Sequence, residues 1–159
     1  MARQFVATVT LRHLGKGAGA TAQVHRLADG TIASFAAGTR LIPAQRFPDR
    51  RDVWVDGKAL LEVPETRGPL TIRTPLLRIE VIRPSTLLVT ARPRQAGEAV
   101  RVLNGEVIVG KRYPSHYPVP DDLHAGEMAM VNFTIDLMEK EPIGARSRAH
   151  MDEWVKTLR

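Results

Sequence analysis

The chain has 159 residues, 43% of them hydrophobic, a formal net charge of +6 and no cysteine. A single domain over residues 1–159 is expected, long enough to bury a core without metals or disulfides. The missing cysteines exclude disulfide frameworks, thiolate nucleophiles and cysteine-ligated zinc.

No run approaches the ~18 apolar residues that a membrane helix requires. The opening Met1-Ala2-Arg3-Gln4-Phe5 also lacks the apolar core of a secretion signal, so no membrane partner is expected. Charge is unevenly placed. Residues 1–48 carry six basic residues against the single acid Asp29, whereas residues 113–159 carry five against eight.

Residues 4–13 alternate, with Phe5, Ala7, Val9 and Leu11 on one face of a predicted strand. Gly15-Lys16-Gly17-Ala18-Gly19-Ala20 formally fits a dinucleotide fingerprint. That mechanism needs a helix to follow, and Thr21-Ala22-Gln23-Val24 reads as strand, so a flexible connection and no cofactor are expected. Asp29-Gly30 predicts a hairpin joining residues 21–27 to 31–35, pairing Val24 with Phe35 and Leu27 with Ile32.

Residues 43–52 read as an Arg-rich irregular segment containing Arg46-Phe47-Pro48-Asp49-Arg50-Arg51. Asp56-Gly57 predicts a second hairpin, pairing Val53 with Leu60, Trp54 with Ala59 and Arg51 with Glu62. Strands over 70–74, 76–83 and 86–92 stop at Pro75, Pro84 and Pro93. Asn104-Gly105 gives the strongest turn signal. It predicts a hairpin with Val102 opposite Val107, Val100 opposite Val109 and Glu98 opposite Lys111.

Residues 111–126 form a second irregular stretch. Residues 128–137 read as one long half-buried strand with Ala129, Val131, Phe133, Ile135 and Leu137 inward. Met151, Trp154, Val155 and Leu158 have helical spacing, which predicts a helix over 147–158 with Ser147 as N-cap. The expected fold is all-β, a mainly antiparallel sandwich or barrel of about ten strands with one short C-terminal helix.

Chemistry-bearing residues are sparse. His116, Asp121, Asp122, His124 and Glu127 supply metal-ligating side chains but match no established ligand spacing, so no metal is expected. No nucleophile and base are recognisable together, and no catalytic residue is predicted. Arg46, Arg50 and Arg51 suit fixed contacts to anionic groups. Tyr113, His116 and Tyr117, on a loop stiffened by Pro114, Pro118 and Pro120, suit a protein contact.

These six residues are the predicted partner-binding set. The expected function is a non-catalytic assembly module among other protein subunits, homo- or hetero-oligomeric. Its expected place is the virion of a tailed bacteriophage, as a capsid decoration, head–tail connector or tail component assembled in the host cytoplasm, and otherwise the cytoplasm. A basic β-barrel binding nucleic acid is the alternative, suggested by the arginines near Trp54.

Overall fold

A computed structural model describes residues 7–10, 23–65, 68–91 and 97–145, together with 148, 149, 152, 153 and 156. The described residues form thirteen strands. They are β1 (Ala7–Thr10), β2 (Gln23–Arg26), β3 (Ile32–Phe35), β4 (Arg40–Pro43), β5 (Asp52–Val63), β6 (Leu70–Arg73) and β7 (Leu77–Val81). There follow β8 (Ser85–Ala91), β9 (Gly97–Asn104), β10 (Glu106–Lys111), β11 (Asp121–His124), β12 (Glu127–Asn132) and β13 (Leu137–Pro142).

The all-β class expected from the sequence is the class observed. Ala145, Arg148, Ala149, Asp152, Glu153 and Lys156 are helical, in keeping with a C-terminal helix. Phe5, Leu11, the glycine-rich 15–20 segment, Ser147, Met151, Trp154, Val155 and Leu158 lie outside the described residues. Among the described residues no helix is long and apolar enough to cross a membrane.

The strands belong to one continuous sheet that folds back on itself into two facing layers. Strand β5 makes this possible. Its first half pairs with β4 and, in parallel, with β6; its second half pairs with β3 and β8. One layer continues through β6, β7, β10 and β11, the other through β8, β9, β12 and β13.

The predicted hairpin at Asp56-Gly57 is therefore corrected to a single unbroken strand of 12 residues. Val53, Val55, Ala59, Leu61 and Val63 all face the core, a period of two that runs straight through Gly57. Gly57 takes φ +131°, and its missing side chain leaves room for Thr39. The Thr39 hydroxyl accepts from the Lys58 N–H and donates to the Lys58 carbonyl, at 3.0 and 3.2 Å.

The Asn104-Gly105 hairpin is also corrected. Strands β9 and β10 do not pair with each other. β9 pairs with β8 and β12, and β10 with β7 and β11. The turn carries the chain from one layer to the other. Val100, Val102, Val107 and Val109 are all buried in one core, meeting across the interior rather than along a ladder. Ser85 fixes the crossing, its hydroxyl bonding the carbonyls of Arg83 and Glu106 and accepting from the Glu106 N–H.

The Asp29-Gly30 hairpin forms, one residue out of the expected register. Val24 pairs with Ser34 and Arg26 with Ile32. Gly30, at φ +91°, donates its N–H to the Leu27 carbonyl, and Leu27 bonds Thr31 across a three-residue loop.

The core joins both layers. It includes Phe35, Phe47, Ile72, Ile79, Leu87 and Leu123. Each fully buried apolar side chain of this size contributes roughly 1.5–3 kcal/mol. A smaller cluster of Leu60, Leu88, Met128 and Ile143 lies apart from it.

A candidate interaction surface

The long strand expected over 128–137 is in fact a hairpin, with β12 and β13 joined by a turn at residues 133–136. Asn132 pairs with Leu137. The Asn132 side chain accepts from the Thr134 N–H at 3.0 Å, and Asp136 takes φ +48°. Asn and Asp stabilise such turns by local hydrogen bonds and tolerate positive φ. The turn places Phe133 and Ile135 at 55% and 63% exposure instead of in the core.

Asp136 ties this turn to the 112–120 loop. Its carboxylate accepts from the Ser115 hydroxyl (2.6 Å), the His116 N–H (2.9 Å) and Lys111 Nζ (3.1 Å). Lys111 also donates to Ser115 at 2.9 Å, and its side chain is only 3% exposed. The Ser115 hydroxyl accepts from the Tyr117 N–H at 3.0 Å. These donors, the Ser115 hydroxyl foremost, hold the Asp136 carboxyl at about 2. Burial, followed by the charge of Asp136, pushes the Tyr113 phenol up.

The aromatic residues sit on this frame. Tyr113 packs on the core and meets Phe133 edge to face, with ring centroids 5.3 Å apart. Lys111 Nζ lies 5.8 Å from the Tyr113 ring centroid and 5.9 Å from that of Tyr117. Tyr117 itself is 74% exposed. The structure thus gathers Tyr113, His116 and Tyr117 from the predicted set. Lys111, Ser115, Phe133, Ile135 and Asp136 join them, unforeseen from the sequence. Beside the turn runs an open groove of about 470 Å³, lined in part by Ala99, Met130, Ile135 and Leu137.

The predicted basic residues divide. Arg46 and Arg50 are exposed, and Arg50 pairs with Asp52 at 2.7 Å. Arg51 turns inward, its side chain 8% exposed, to bind Asp29 at 2.8 Å and the Gly68 carbonyl. Its expected partner, Glu62, lies near the far end of β5, the strand that Arg51 immediately precedes. Phe47, between these arginines, anchors the segment in the core.

Other expected pairings also differ. Glu98 is buried, where its carboxylate accepts from the Thr74 hydroxyl and from the Leu76 N–H (3.1 Å). Burial is the main cause raising its pKa, and these two hydrogen bonds oppose the rise. Lys111, the predicted partner of Glu98, belongs instead to the Asp136 network.

The structure scatters the potential metal ligands. Asp121 and Asp122 are consecutive on β11 and so point to opposite faces. Glu127 accepts from the His124 N–H at 2.9 Å and pairs with Lys140 at 3.5 Å. Among the described residues no three His, Asp or Glu side chains are placed to hold a metal ion.

The sequence matches no protein-family model and no curated protein. Two crystal structures of a candidate anti-sigma factor from Parabacteroides distasonis ATCC 8503 share the fold, with TM-scores of 0.70 and 0.69 and 24% identity in each. The alignments cover 92% and 91% of this chain but only 64% and 63% of those chains. At that identity the likeness establishes the fold.

It also overturns the expectation of a tailed-bacteriophage virion component, because these two structures are described as an anti-sigma factor and not as a capsid, connector or tail protein. Stiff loops and the lack of a recognisable catalytic motif are common to many β modules, so neither trait singled out a virion. Two of the residues that suggested the nucleic-acid alternative are otherwise engaged. Arg51 is spent on Asp29, and the Trp54 ring that was to stack a base has Arg112 lying over it at 5.1 Å.

Proposed function

We propose that this chain is a non-catalytic, protein-binding module of a regulatory protein, and that its partner is of the sigma-factor class. The carrying observation is the surface where the 112–120 loop meets the 133–136 turn. Tyr117, Phe133 and Ile135 are exposed there on a backbone already fixed by Asp136. A scattered exposed apolar side chain is ordinary, but several grouped on a pre-ordered frame suit docking, because little freedom remains to be lost. Tyrosine in particular offers large contact area at low entropy cost.

The fold likeness supports the partner class, since the described neighbours carry the anti-sigma designation. The non-catalytic reading is supported by the use made of the buried acid: Glu98 spends its carboxylate on Thr74 and Leu76, which tie the two layers together.

The test is calorimetric titration of the purified chain with each sigma factor of its source organism. Tyr117→Ala and Ile135→Asp should each weaken the binding seen with the natural sequence, without lowering the melting temperature. If no sigma factor binds, the partner class is wrong. Binding that ignores both substitutions would place the contact elsewhere.

A further inference from the structure

Strand β13 ends its layer, and among the described residues no strand pairs with its outer edge. An edge strand presents unpaired N–H and C=O groups that template the addition of another strand. We propose that this edge receives an extended, basic segment of a protein partner as an added strand, with Glu139 and Glu141 selecting its charge. The proposal rests on the protein-binding reading above and specifies the mode of contact.

The alternation along β13 supplies the recognition chemistry. Leu137, Glu139 and Glu141 share one face, and all three are exposed. Lys140 points to the other face, where it pairs with Glu127 at 3.5 Å. Arg101 feels the charge of Glu141 from two strands inward. Beside Leu137, the groove of about 470 Å³ offers an apolar seat for one incoming side chain.

A second copy of this chain does not fit the same edge. An antiparallel pairing of two identical strands has its two-fold axis normal to the sheet, so odd-numbered residues always oppose odd-numbered residues. In both of the most fully overlapped registers a glutamate then faces a glutamate, and directly opposed like charges destabilise a sheet. The charges that bar self-pairing admit a basic strand. In an antiparallel arrangement the complementary segment reads basic–x–basic–x–apolar, placing cations opposite Glu141 and Glu139 and the apolar residue at the groove.

A labelled peptide containing Arg-Thr-Arg-Thr-Leu serves as the probe, with a glutamate-for-arginine peptide as its counterpart. Fluorescence anisotropy should show the first peptide binding the natural protein. Combined Glu139→Lys and Glu141→Lys should weaken that binding about tenfold, since two attractive pairs become repulsive, and should reverse the preference towards the acidic peptide. Hydrogen exchange at residues 137–142 should slow when the peptide is bound, and far-UV circular dichroism should show the double variant still folded with its β content intact.

Failure of the natural protein to bind the arginine peptide overturns the proposal, as does unchanged exchange at 137–142 or equal binding by the variant. A sigma factor that is lost on Tyr117→Ala but retained by the double variant would refute strand addition while leaving the protein-binding reading intact.

Discussion

Replacing Gly57 with alanine tests the unusual course of β5 directly. The residue sits at φ +131°, where L side chains are strained, and an added Cβ would lie 2.8 Å from the Thr39 Cα. That neighbour is backbone, pinned by two hydrogen bonds between the Thr39 hydroxyl and Lys58, so it cannot swing aside. Backbone strain of this kind costs about 1–3 kcal/mol. Forcing a methyl group into a filled space adds roughly 1–3 kcal/mol. For a domain of this size each kcal/mol lowers the melting temperature by ~2–4 °C, so a fall of ~5–20 °C is expected.

Gly38→Ala is the control. Gly38 has φ +81°, yet no described atom lies within 4 Å of its virtual Cβ, so it carries the strain without the collision. Thermal unfolding followed by circular dichroism measures both variants. If Gly57→Ala melts no lower than Gly38→Ala, the close approach of Thr39 does not constrain the strand, and the account of the crossing fails.

Further outcomes follow from the charged groups. Arg51→Ala leaves the buried Asp29 carboxylate without its cation and should cost about 3–5 kcal/mol, whereas Arg50→Ala should stay within ~0.5 kcal/mol; denaturant titration of both variants separates them. The Asp136 carboxyl is depressed to about 2, so its stabilising effect is present above its ordinary value of 3.8 and is lost as pH falls through about 2. Asp136→Ala should therefore flatten the loss of stability over that acid range, measured as melting temperature against pH. Glu98 has the opposite sign, because burial raises its pKa and the fold becomes less favoured as pH climbs above the ordinary carboxylate range. Glu98→Gln should raise the melting temperature more at pH 8 than at pH 4, and an equal change at both would show that ionisation of Glu98 is irrelevant.

The sequence was legible where a signal was local. Asp29 and Gly30 make a hairpin because the Asp29 side chain accepts from Thr31 and Gly30 supplies the positive φ. Gly57 and Gly105 also have positive φ, as their turn chemistry implies, but positive φ says only that the chain can bend. Which strands pair afterwards is decided by packing over long distances. At Gly57 a discriminating signal was present. The odd-numbered residues 53–63 are all apolar or glycine, whereas a two-residue hairpin would set Lys58 on the face of Val55.

At Gly105 the four valines do share a core, but their partners lie across a layer gap of ~10 Å instead of along a ladder of ~5 Å. Apolar patterning is blind to that distinction. Asn132 and Asp136 marked the turn inside the supposed long strand, masked by the alternation of Val131, Phe133 and Ile135 around them. Tyr113 and Tyr117 were recognisable from their loop as candidates for a contact. The acid that organises them was not, because Ser115 and Lys111 stand 21 and 25 residues away from Asp136 along the chain.

The division of β5 between two layers has a consequence for how the molecule comes apart. Each layer draws a central strand from the same 12 residues, so neither retains its ladder if the other dissolves. Opening of one layer is then thermodynamically tied to opening of the other, and partial unfolding along the layer boundary has no low-energy route. Amides of Ile72 and Ile79 in one layer and of Leu87 and Val100 in the other should accordingly exchange through one shared global event, with a common free energy and a common denaturant dependence. Distinct free energies for the two groups would mean that the layers are independent cooperative units joined only by a bent strand.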